Sequence, residues 1–234
     1  MHKIILLLLT VLFLTSCEGE KKSVFNENGI TEGVINYTVS YPYLDSNDLG
    51  LNILPKSMDF TFKNNKYRIE SIGGMGLFAA GYVSDNEKLE MDYFLKMISS
   101  KFVSRFNEKG VKKLHKEFPA FRLEKIDSNK TIAGYNCKGL RVVYYSNVVK
   151  DHNMWFTTDI NNPGVNWCSP FPEIEGVLLE YQIQRDGLVI NFVANTVNGD
   201  KVDDDKFKIP VNYKVIPNRA LVRKMEEAFL GFDY

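Results

Sequence analysis

The chain has 234 residues, 44% of them hydrophobic, and its 29 Lys and Arg balance 29 Asp and Glu. A formal net charge of zero offers no global field for nucleic acid, and the apolar content is that of an ordinary globular chain. Beyond the N-terminal segment no apolar run reaches the ~20 residues that a membrane-spanning helix needs.

Lys3 precedes an apolar run from Ile4 to Leu14. As a helix at ~1.5 Å per residue this run extends about 16 Å, half of a ~30 Å hydrocarbon core. It is too short to span and has the length of a signal-peptide core. Leu14-Thr15-Ser16-Cys17 then resembles the lipobox of bacterial lipoproteins, with an aliphatic residue and two small ones before cysteine. That resemblance implies cleavage before Cys17 and lipid on its sulfur and new amino group. One acyl chain holds a protein only marginally, at ~0.8 kcal/mol per buried methylene, whereas two or three hold it stably. Residues 1–16 are therefore expected to be a signal peptide, 17–32 a lipidated cysteine with a polar tether, and 33–234 a single β-rich domain. The expected location is the cell envelope, lipid-anchored at the outer membrane, with the facing side left open.

Within that domain, Ile35, Tyr37, Val39 and Tyr41 alternate as a half-buried strand does. In "SMDFTFKNNKYRIES" the pair Asn64-Asn65 suits a two-residue turn. That register sets Phe62 opposite Tyr67 and Phe60 opposite Ile69, with Asp59, Thr61, Arg68 and Glu70 on the other face. Gly74, Gly76 and Ala79 formally match a dinucleotide fingerprint after a strand, but the breaker Ser84-Asp85 follows too soon for a crossover helix. Small residues on a tightly curved strand explain them better. Lys96 to Lys116 is locally basic, the pattern of a solvated face or, less simply, of a patch for anionic headgroups. A helix is expected over roughly 104–118, interrupted by Gly110.

Leu140, Val142 and Tyr144, then Met154 and Phe156, continue the alternation. "GVLLEYQIQRDGLVINFVANT" carries a strong hairpin turn at Asp186-Gly187. Its pairs are Ile183 with Ile190, Tyr181 with Phe192 and Leu179 with Ala194, all on one face, while Glu180, Gln182 and Asn191 take the other. One apolar and one polar face is the requirement of an antiparallel sheet covered on one side. Asp203-Asp204-Asp205 lacks the ligand spacing of a calcium loop. A final helix starts at Asn218 after Pro217, shares Leu221, Val222, Met225, Ala228 and Phe229 on one face, and stops at Gly231.

Residues 127–216 carry a resemblance. Ile132, Gly134, Tyr135, Cys137 and Lys138; Trp155, Phe156, Thr157, Asp159 and Ile160; Pro172, Gly176, Leu179 and Glu180; and Phe207, Ile209, Pro210 and Tyr213 are similar to the motifs of envelope proteins grouped as GLPGLI. The resemblance extends to LolA/LolB-like lipoprotein-carrier domains. It implies an α+β, β-rich architecture: a curved antiparallel sheet or half-barrel with the C-terminal helix, and a second helix, packed on it. It carries over no activity and no cofactor.

Catalytic signatures are sparse. After the signal peptide the histidines are His115 and His152, with no H-E-x-x-H, no CxxC and no Gly-x-Ser-x-Gly, so neither a zinc site nor a nucleophile triad is indicated. Glu173, Glu175 and Glu180 read as solvated carboxylates, and Trp155 and Trp167 as core or rim. Cys137 and Cys168 form an even pair in an oxidising compartment, which favours a disulfide. The leading expectation is a non-enzymatic module that holds a lipid or acylated peptide in the half-barrel. Its candidate contact residues are Phe60, Phe62, Tyr67, Ile69, Tyr181, Ile183, Ile190 and Phe192. A structural adaptor with a filled core and a protein partner, and an envelope hydrolase with an unfamiliar site, are the alternatives. The anchor is directly testable: cells fed labelled palmitate should label the wild-type protein, and Cys17→Ser should abolish the label and leave an uncleaved precursor.

Overall fold

The computed structural model describes residues 24–44, 49–185, 188–209 and 211–229; Cys17, the Asp186-Gly187 turn and Gly231 lie outside them. Strands β1 (Glu32–Ser40), β2 (Ser57–Lys63), β3 (Lys66–Gly73), β4 (Phe78–Asp85), β5 (Glu90–Met97) and β6 (Ser100–Asn107) form one antiparallel meander. Helix α1 (Glu108–His115) follows, then β7 (Phe121–Ile132), β8 (Tyr135–Tyr144), β9 (His152–Thr157), β10 (Val177–Arg185) and β11 (Leu188–Asn198). Strand β12 (Lys214–Val215) and helix α2 (Asn218–Phe229) complete the described elements.

The pairing of β1 with β11 joins the two meanders into one 12-stranded sheet, ordered β12-β6-β5-β4-β3-β2-β1-β11-β10-β9-β8-β7. Its edges, β12 and β7, do not meet, so the sheet is curved and open, a half-barrel. Only the short β12 runs parallel to its neighbour, β6. The β2–β3 register pairs Phe62 with Tyr67 and Phe60 with Ile69, and β10–β11 pairs Tyr181 with Phe192 and Ile183 with Ile190, as the alternation predicts. Asn64 adopts the left-handed conformation its turn requires, with φ 51°.

The inner face continues across the first meander as a ladder: Tyr67 pairs with Ser84 and Ser84 with Met91, while Ile69 pairs with Tyr82 and Tyr82 with Tyr93. On the outer face Phe94 is fully buried, since the guanidinium of Arg68 sits 4.7 Å over its ring and Tyr213 meets it edge-on. The segment after β11 is held there, with Lys63 donating to Asp204 at 2.7 Å and to the Val202 carbonyl. The acidic triplet is thus a fastener of this segment, in which Asp203 also accepts from the Asp205 amide.

Two expectations are corrected. Residues 104–118 are not one helix: Ser104 and Phe106 belong to β6, and Asn107 then caps α1 by accepting from the Gly110 amide at 3.0 Å. The small residues around Gly74 are not a curved strand but the turn between β3 and β4, with positive φ at Gly74, Met75 and Gly76. Two cations of the locally basic stretch are paired by their neighbours, Arg105 gripping Asp92 through two bonds of 2.7 Å and Lys112 pairing with Glu108.

Both helices lie against β6. Val111 of α1 is buried, and in α2 Leu221 and Met225 are buried with Val222 half-buried; the side chains of Ala228 and Phe229 lie outside those described. The start of α2 is tied to the sheet by the Ser104 hydroxyl, which donates to Asn218 Oδ1 at 2.7 Å. A chain beginning at Glu18 contains every described strand and helix. Leu221, with no exposed surface, fixes α2 on the sheet. Leu221→Ala should cost about 2–5 kcal/mol, read as a lowered urea midpoint with an unchanged m-value.

Candidate functional site

The inner face is broader than the two helices, and residues 165–170 cross part of what they leave. Between these elements lies an apolar cavity of about 230 Å³. Of the eight residues expected to contact a ligand, Phe60, Tyr67, Ile69, Tyr181, Ile183, Ile190 and Phe192 all line it. Phe62 does not. It faces the same side but sits one pair nearer the Asn64 turn, fully buried, with its ring 5.9 Å from Phe60, so it is core.

The aromatic wall is ordered by ring contacts. Tyr181 stacks on Phe192 with centroids 4.8 Å apart, and Phe60 stacks on Tyr67 at 5.1 Å. Tyr37 meets Tyr181 edge-on, Tyr82 meets Tyr67 edge-on, and Tyr82 stacks on Tyr93. Such offset and edge-on pairs are the preferred geometries of aromatic quadrupoles. Val39, Phe78, Met91, Leu114, Phe118 and Met225 add to the wall. Tyr41, just past the end of β1, and Met225 of α2 lie in stretches legible as a strand and a helix; Tyr82, Tyr93 and His115 sit where the sequence alone gave no site signal.

Three of the tyrosine hydroxyls at this wall have partners within the protein. Tyr37 donates to the Leu178 carbonyl at 2.7 Å, Tyr41 to the Pro55 carbonyl at 2.9 Å, and the Tyr67 hydroxyl lies 2.9 Å from Cys168 Sγ. Burial pushes the phenols of Tyr37, Tyr67, Tyr82 and Tyr181 well up from their usual value, so the wall is uncharged at neutral pH. Trp167 donates to Ser84 Oγ at 2.7 Å, and Asn166 holds the crossing segment in place by donating to the Ile174 and Gly176 carbonyls.

Cys137 and Cys168 are free thiols, both buried, and the expected disulfide is not made. Their places explain it: Cys137 is on β8, donating to the Tyr135 carbonyl, whereas Cys168 is on the crossing segment beside Tyr67 and Ser84. Burial pushes each thiol up to about 11, so neither is a ready nucleophile. Among the described residues no group of three or more His, Cys, Asp or Glu is placed to hold a metal. Glu180 pairs with Lys130 on the outer face, and Lys130 also lies over the Trp155 ring. No helix among the described residues is long and apolar enough to cross a membrane.

No family model matches the chain, and no curated protein matches it. Among solved structures it is similar to PNGF-II, at a TM-score of 0.51 and 14% identity, over 85% of this chain and 34% of that one. The likeness is one of fold. The chain spans about a third of the length of PNGF-II. Weaker similarities link it to MucB in complex with MucA(peri), at a TM-score of 0.32, 10% identity, and 80% and 57% coverage. Another is to LprF from Mycobacterium bovis, at 0.28, 10% identity, and 73% and 88% coverage.

The thiol assignment has a direct check. Unfolding in denaturant with excess iodoacetamide and no reductant should add two adducts to a chain beginning at Glu18, seen by intact mass; the native protein should react far more slowly.

Proposed function

We propose that this protein is a lipid-anchored component of the cell envelope that holds an apolar ligand, a lipid or an acylated peptide, in the cavity of its half-barrel. It acts by sheltering the ligand rather than by transforming it. The observation that carries this reading is the convergence of two hairpins, some 120 residues apart in sequence, on one aromatic-lined cavity of about 230 Å³. Concave, mostly apolar sites with few polar groups are where small ligands bind. The lipobox-like segment at Cys17 and the resemblance to lipoprotein-carrier domains support the envelope setting.

Protection fits the wall better than chemistry does. Its phenols and the Cys168 thiol are held neutral by burial, and the thiol's partners are the hydroxyls of Tyr67 and Ser84. The membrane is the expected partner through the anchor, and the ligand is the second.

The chain beginning at Glu18 should co-purify with lipid in native mass spectrometry or, once stripped, take up the neutral fluorescent probe N-phenyl-1-naphthylamine saturably. Phe192→Asp, in the middle of the wall, should weaken uptake at least tenfold. Because that residue is buried, Ile183→Gln at a half-buried position serves as a second variant in a protein that keeps its thermal transition. Absence of both co-purified lipid and saturable uptake would leave the filled-core adaptor as the correct account.

A further inference from the structure

One polar atom on the cavity wall stands apart. His115 is the last residue of α1, and Asn107 capping the start of the helix and buried Val111 in its middle fix where that residue falls. Its ring forms part of the cavity wall beside Leu114 and Phe118, with the Phe118 ring centroid 6.4 Å away. The Cys168 backbone hydrogen-bonds the imidazole, while Nε2 is buried with no protein partner. Among the described lining residues it is the one buried side-chain nitrogen or oxygen left so.

The state of Nε2 follows from its surroundings. Burial lowers the His115 pKa from the ordinary histidine value, so the ring is neutral at pH 7. A neutral imidazole has one N–H and one lone pair; a backbone partner that raises the ring's pKa is an acceptor, the Cys168 carbonyl, and with Nε2 unpartnered this contact puts the N–H at Nδ1. Nε2 therefore presents a lone pair, a hydrogen-bond acceptor. A buried acceptor without a donor carries an unpaid desolvation cost, and a ligand that brings a donor removes it. A carboxylate brings none, and the negative charge of Glu173 that also acts on the ring disfavours a second anion.

We infer that His115 Nε2 receives the head of the ligand, and that the ligand class is a single-chain amphiphile whose head carries a neutral donor, a hydroxyl or amide N–H. The aromatic wall takes the chain and His115 fixes its end. This inference rests on the cavity binding an apolar ligand at all, and it adds what the head must be.

The test compares 1-dodecanol with dodecyl methyl ether, equal in chain but lacking the donor, as competitors for bound N-phenyl-1-naphthylamine on the chain beginning at Glu18. In the wild-type protein dodecanol should compete about tenfold more tightly than the ether, the scale of one buried hydrogen bond. His115→Leu should bind the ether as well as wild type does and lose the preference; His115→Gln, which restores an acceptor, should recover part of it. Dodecanol, but not the ether, should also move the His115 Nε2 resonance in the ¹⁵N spectrum. Equal competition by both ligands in wild type, or a preference that survives His115→Leu, would overturn the role of His115 while leaving the cavity reading intact. No uptake of the probe by wild-type protein would overturn both.

Discussion

An open sheet of this width cannot be covered by two short helices, and that shortfall shapes everything on its inner face. Twelve strands at ~4.8 Å spacing measure about 53 Å across. Each helix is ~10–12 Å wide with its side chains, and both sit against β6, toward one edge. Curvature and the crossing segment at residues 165–170 bring the rest of the face out of water. What remains between them is the cavity. Its existence follows from topology: the β1–β11 pairing joins two meanders into a sheet larger than its cover.

The inner face is also unusual in how it uses tyrosine. A phenol offers a large apolar ring but takes its hydroxyl into the interior, where an unpaired polar atom is costly. Here the backbone of β10, the Pro55 carbonyl and the Cys168 sulfur supply the partners. The result is a wall that is aromatic without being sticky toward water or charge. A free thiol at Cys168 serves this purpose directly, because a sulfur bonded to Cys137 would no longer be a thiol and could not lie beside the Tyr67 hydroxyl in the same way.

The two hairpins at the heart of the site were legible because two signals agreed. Their apolar residues alternate with period two, and their turns carry residues that tolerate positive φ, as Asn64 does. Strand β5 was not legible for a physical reason: Phe94 and Leu95 are adjacent and both have no exposed surface, since the segment with Tyr213 covers the outer face there. With both faces buried, alternation disappears. The 104–118 region misled because a strand-to-helix junction, whose boundary is the Asn107 cap, falls inside it. The cysteines failed as a predicted pair because an even count says nothing about which side of a half-barrel each residue reaches. His115 gave no signal at all. A lone histidine acquires meaning only from what its second nitrogen lacks.

The two ends of the half-barrel differ in a way that bears on how a ligand would come and go. The chain enters at the end where β1 begins, with the Asn26 amide donating to Thr158 and Ile30 bridging Ile160. The cavity wall made by Pro55, Phe78, Ile183 and Ile190 lies toward the other end, near the β3–β4 and β5–β6 turns. There Ile53, Met75, Leu77 and Ile98 are all exposed; Ile98 donates its amide to the Leu77 carbonyl and Ile53 reaches the Gly74 position, so they form one group. Scattered exposed aliphatics need no explanation, but a cluster does. Strands could have ended in polar turns at this end as they do at Asn64-Asn65. Instead the turns extend the apolar character of the cavity outward to its rim, on the side of the sheet farthest from where the chain enters.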